Sequence, residues 1–90
     1  MIESQLNVAG YSAVGDNNLS RAREIFRTNT VVFPDSANTW DSYAESFLTV
    51  EDYANAKHFY QRALQVDPEF TNATRMLEQI ADETGADKEN

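Results

Sequence analysis

Residues 33–40 read FPDSANTW, and residues 66–74 read VDPEFTNAT. In each stretch an apolar residue lies one or two places before a proline, and small polar residues follow. Pro34 and Pro68 are the only two prolines in the chain. A residue that precedes proline avoids the helical region, so each stretch ends a helix. The two prolines lie 34 residues apart (68 − 34). One such break ends a helix; two at a set distance imply a unit that returns.

Outward from these breaks the apolar residues keep helical spacing. In 2–14, Ile2, Leu6, Ala9 and Ala13 step by four, three and four and share one face. Gly15-Asp16-Asn17-Asn18 is turn chemistry. Over 19–33 a second face is expected from Ala22, Ile25, Phe26, Val32 and Phe33. Ser36 is a candidate N-cap for the next helix, whose stripe is Trp40, Tyr43, Ala44, Phe47 and Leu48. After a turn at 49–52, the span 53–66 carries Tyr53, Ala56, Phe59, Tyr60, Ala63, Leu64 and Val66. A last helix over 71–83 carries Ala73, Met76, Leu77, Ile80 and Ala81, with Gly85 placed to end it and 86–90 as a polar tail. TNTVVF at 28–33 is the best strand candidate, but a strand alone among helices is unstable. The spacing therefore predicts an all-α chain.

A shift of 34 residues sets like on like. Leu6 falls on Trp40, Ala9 on Tyr43, Gly10 on Ala44, Ala22 on Ala56, Phe26 on Tyr60, and Pro34 on Pro68. Few pairs are identities, yet each keeps its class: bulky apolar, small, or breaker. Small residues let helices approach closely, and large ones fill the gaps between them.

A 34-residue helix–turn–helix period of this kind resembles the tetratricopeptide repeat. Residues 37–70 look like one well-formed repeat, with Trp40, Tyr43, Ala44, Phe47, Ala56, Tyr60, Ala63 and Pro68 in place. Residues 3–36 look like a weaker copy, with Ala13 where a large aromatic is usual and Asn29 where a small apolar residue is usual. Residues 71–83 resemble a first helix that caps the array. The resemblance implies one domain over 1–85, built of antiparallel helix hairpins stacked as a short right-handed superhelix. A narrower likeness concerns Asn29, Phe33–Ser36 and Asp41–Ser42. It is similar to tetratricopeptide-like tails that follow bacterial serine-hydrolase or esterase domains, and implies an accessory role in positioning or oligomerisation.

Composition narrows the function. Ninety residues make one small domain or a fragment of a larger protein. With no cysteine there is no disulfide, thiol nucleophile or cysteine zinc site. A net charge of −8 opposes binding to nucleic acid and to anionic membrane surfaces. The first residues, MIESQLNVAG, lack the basic start of a signal peptide. These features point to a soluble chain, with the cytoplasm favoured over the periplasm.

Nothing in the sequence makes a catalytic set. Ser42 has no Gly-x-Ser-x-Gly surroundings, and His58 is the single histidine and reads as a helix-surface residue. No metal-ligand spacing and no cofactor motif is present. The resemblance instead implies a protein-interaction module whose first helices line a concave groove. The inward residues would be Asn7, Tyr11, Asn38, Asp41, Glu45, Arg75 and Gln79. Some members of the family grip a terminal carboxylate with basic residues there. Here only Arg75 is basic, so a basic or mixed peptide is the expected partner; the plainer alternative leaves Asp41 and Glu45 merely solvated. Arg21, Arg23 and Arg27 form a local basic patch, read as pairing with nearby acids. Apolar end faces near Ile2 and Leu6 and at the last helix point to self-association.

Overall fold

The computed structural model describes residues 2–85, so the tail expected at 86–90 lies outside the described residues. The described residues form five helices: α1 Glu3–Gly15, α2 Leu19–Val32, α3 Ala37–Leu48, α4 Tyr53–Val66 and α5 Thr71–Thr84. Each packs against the next, and α3 against α4 is the most extensive pairing. The result is a thin, elongated stack of 45 × 28 × 16 Å.

The unit repeats in backbone detail. Asn17 and Glu51, 34 residues apart (51 − 17), both have φ of 60° and turn the chain inside their hairpins. The amides of Asn18 and Asp52 reach back to the carbonyls of Ala13 and Phe47, at 2.8 and 3.0 Å. The same two residues then cap α2 and α4, their side chains accepting from the amides of Arg21 and Asn55. Gly85 ends α5 in the left-handed conformation, as its position after the last apolar residue predicts.

The joint at FPDSANTW is held by side chains. Ser36 stands at the N-cap of α3, but its side chain makes no capping bond. Thr39, fully buried, donates instead to the carbonyls of Ser36 and Phe33. Trp40 donates its indole N–H to the Pro34 carbonyl at 2.8 Å and stacks on Phe59. The tryptophan thus fastens its own helix to the loop before it.

Two apolar clusters make the interior. Ala37, Ala44, Phe47, Ala56, Tyr60, Ala63, Ala73 and Ile80 join α3, α4 and α5. Ala13, Ala22 and Phe26 join α1 to α2. Tyr43 packs against both. Gly10 is buried in the smaller hairpin, where an added Cβ would lie 2.3 Å from Phe26 Cε1.

Two expectations about buried faces, and one about Arg23, need correction. Ile2 is 59% and Val32 53% exposed, so neither belongs to the inner face of its helix. On α2 the inward positions after Phe26 are Asn29 and Thr30. Asn29 is fully buried, donating from Nδ2 to the Glu3 carbonyl at 3.2 Å while its Oδ1 has no partner among the described residues. Arg23 lies near enough to Asp52 to act on its charge, but its hydrogen bonds go elsewhere. Its guanidinium donates to the Ser46 carbonyl at 2.9 Å and lies 4.1 Å from the Phe47 ring centre.

Candidate functional site

The alternating helices α1, α3 and α5 bring most of the expected groove residues together in one polar row. Tyr11 on α1 donates its hydroxyl to Glu45 Oε1 on α3 at 2.6 Å. One turn earlier, Ser42 donates to Asn7 Oδ1 at 2.8 Å. On the other flank of α3, Asn72 of α5 donates from one Nδ2 to both Asp41 oxygens, at 2.8 and 3.0 Å. Arg75 in turn donates to Asn72 Oδ1.

Helical spacing explains the row. Asn7 and Tyr11, Asp41 and Glu45, and Asn72 and Arg75 lie three or four residues apart, so each pair shares a face. Tyr11 with Glu45, and Asn7 with Asp41, are also 34 apart (45 − 11 and 41 − 7), the same register of successive units. Asn38 lies half-buried a turn before Asp41 and takes no part in these bonds. Gln79 turns to Glu83 on its own helix, at 3.3 Å.

Asp41 departs most from its expected place. It is only 8% exposed, so it is not a solvated groove carboxylate. Burial raises its pKa above the ordinary value, and the two bonds from Asn72 oppose the rise. Glu45 is exposed and keeps a carboxylate at the surface. Partial burial pushes the Tyr11 phenol up to about 12, and the hydrogen bond that it donates to the Glu45 carboxylate adds to the rise. Burial also raises Tyr60, deep in the core, with the charges of Asp41 and Glu45 acting in the same direction.

Sequence reading did not place Ser42 and Asn72 in this row. The Ser42 hydroxyl donates to Asn7 Oδ1, while His58 lies exposed on α4 against Phe59. Asn72 carries no signal in one sequence, although it is 34 residues after Asn38 (72 − 38) and stands at the same point of its helix.

Beside Tyr11 and Glu45 a hollow of about 260 Å³ opens between the end of α1, the start of α2 and the end of α3. Buried Ala22 and Phe26 form its floor, with Val14 and Leu19 above them. Tyr11, Glu45, Ser46 and Thr49 supply the polar part of its wall.

Among the described residues, no helix is long and apolar enough to cross a membrane. No family model and no curated protein matches the chain. Among solved structures, the chain is similar to the second tetratricopeptide domain of Spaghetti (RPAP3), bound there to the HSP90 peptide SRMEEVD. The TM-score is 0.84 at 15% identity, over 93% of this chain and 78% of that one. With the 34-residue repeat of turns, caps and helix pairs, this likeness establishes that the chain has the tetratricopeptide-repeat fold.

Proposed function

We propose that the face formed by α1, α3 and α5 binds an extended segment of another protein, basic or mixed in charge, without catalysis. The observation that carries this is the polar row from Asn7 to Arg75, which spans the three helices on one face of the stack. A row of donors and acceptors along a groove suits a peptide backbone and its polar side chains. The neighbour of this fold holds a peptide, which supports the binding class.

Charge argues for a different peptide. SRMEEVD has three acids among its seven residues. In this chain the only cation in the row is Arg75, engaged with Asn72, while Glu45 stands exposed. An acidic segment would meet a carboxylate where it needs a donor.

The test is a set of labelled seven-residue peptides, random in sequence and sorted by net charge, titrated by fluorescence anisotropy. Basic pools should bind more tightly than acidic pools and than SRMEEVD itself. Glu45→Lys should reverse that order. Equal binding of all pools, or tighter binding of acidic ones by the unaltered protein, refutes the reading.

A further inference from the structure

The hollow beside Tyr11 has a polar wall of one kind only. The Tyr11 hydroxyl donates its one hydrogen bond to Glu45 Oε1 at 2.6 Å. Ser46 donates to the Tyr43 carbonyl at 2.6 Å and already accepts from Arg23 Nε at 3.4 Å, and Thr49 donates to the Glu45 carbonyl at 2.9 Å. A hydroxyl has one proton and two lone pairs, so each still accepts but no longer donates. The Glu45 carboxylate accepts only. Every polar group on the wall therefore offers lone pairs, one of them backed by a full negative charge. The floor, from Ala22 and Phe26, is apolar.

Such a site asks for an apolar stem that ends in a donor with positive charge. Its volume of about 260 Å³ lies just below the ~300–1,000 Å³ of pockets that enclose whole small ligands, so it suits a single side chain. Lysine and arginine both combine a stem with a charge. They differ in the carboxylate that they prefer. Arginine binds best to two free oxygens at once, whereas an ammonium is a point charge with three separate donors. Tyr11 already takes one lone pair of Glu45 Oε1, so a guanidinium fork would have to share that oxygen with the phenol. One unshared carboxylate oxygen, one shared one and several scattered hydroxyl acceptors remain, which suits an ammonium's separate donors better than a fork.

We propose that this hollow is a lysine pocket. The stem of a lysine from the bound segment lies on Val14, Leu19 and Phe26, and its ammonium is shared by Glu45, Thr49 and Tyr11. The inference rests on the face of α1, α3 and α5 being the peptide-binding face, and it names the side chain that would set specificity there.

The probes are four capped heptapeptides, Gly-Ala-Ala-X-Ala-Ala-Gly, with X as lysine, arginine, norleucine or Nε-acetyl-lysine. Each is titrated into ¹⁵N-labelled full chain and followed by amide chemical shifts. The lysine peptide should move Leu19, Ala22, Ser46 and Thr49 saturably. Norleucine and acetyl-lysine should bind about tenfold more weakly, the weight of a charge-assisted hydrogen bond. Arginine should fall between. Glu45→Gln, at an exposed position, should lower lysine affinity about tenfold while leaving norleucine unchanged. Val14→Phe, at the partly exposed mouth, should block all four at the hollow.

Norleucine equal to lysine overturns the proposal in favour of a plain apolar cleft. Shifts confined to Asn38, Asn72 and Gln79 overturn the lysine pocket and leave the binding face standing. No shift with any peptide refutes both.

Discussion

At the scale of single residues, packing decides where sequence preference would mislead. Glycine inside a helix costs about 1 kcal/mol relative to alanine, so Gly10→Ala would stabilise an isolated helix. Here the new methyl would lie 2.3 Å from the Phe26 ring, itself only 1% exposed. Overpacking of that kind costs about 1–3 kcal/mol and should win. At Gly15 nothing lies within 4 Å of the added atom, so Gly15→Ala is the matched control and should be neutral or mildly stabilising. Thermal melts of the two variants should move in opposite directions. Glu51 has the reverse problem, since it holds φ at 60° in a turn where its counterpart is Asn17. Glu51→Asn should stabilise by a few tenths to about 1 kcal/mol, because asparagine tolerates the left-handed region better. Asp41 makes a pH prediction. Its folded pKa is raised, so the folded state holds its proton to higher pH than the unfolded chain. Stability from this group is fully present below the unfolded value and falls as pH rises through the window between the two. Relative to the unaltered protein, Asp41→Asn should therefore look best near neutrality and lose ground in acid. Denaturant melts across pH 3–7, a range set by the ordinary carboxylate value of about 4, read that slope directly; the opposite slope refutes it.

At the scale of helices, the ends were readable and the polar contacts between them were not. Pro34, Pro68, the Asp16–Asn18 turn and Gly85 each act through their own backbone, so one residue suffices to mark them. The small positions Gly10, Ala22, Ala44 and Ala56 return at the repeat distance, and all are buried. The groove pairs Tyr11–Glu45 and Asp41–Asn72 need residues brought together by the stack; the repeat register put Tyr11, Glu45 and Asp41 on the inner face but not their bonds, and it did not mark Asn72. The same applies to Arg23, whose value lies in another helix. It reaches from α2 to the last turn of α3, meeting the Ser46 carbonyl and the Phe47 ring. A guanidinium at a helix C-terminus also suits the helix dipole. Arg23→Lys should cost about 1 kcal/mol, because an ammonium keeps the charge but loses the flat face and the fork. The helix α5 contributes Ala73 and Ile80 to the larger cluster, and Ile80 is 3% exposed. Ile80→Ala should cost about 2–5 kcal/mol, which for a domain of this size lowers Tm by at least about 10 °C. Removal of residues 71–90 should cost more still, and an unchanged melt would refute the capping role.

At the scale of the whole molecule, the division of the core sets how the chain should unfold. Stacked repeats gain stability from each unit and from each interface, so a weak interface divides the stack. The larger cluster spans three helices, and the smaller one spans two. Tyr43 is the aromatic that touches both, with Phe47 at 5.1 Å and Phe59 at 4.5 Å between ring centres on its own side. Polar links also cross the division, Tyr11 to Glu45, Ser42 to Asn7 and Arg23 to Ser46, and the Arg23 guanidinium lies over the Phe47 ring. Net hydrogen bonds are each worth about 1 kcal/mol, whereas truncation of a large aromatic costs about 3–5 kcal/mol. The interface should therefore depend on Tyr43 more than on any one of its bonds. Trp40, the only tryptophan, lies on α3 and reports the larger cluster by fluorescence. Circular dichroism reports all the helices. In the unaltered protein the two signals should change together with denaturant. In Tyr43→Ala they should separate, the dichroism falling first as α1 and α2 melt while Trp40 still sits against Phe59. If both signals shift together by the same amount, the polar links carry the coupling, and Tyr43 is only one more core side chain.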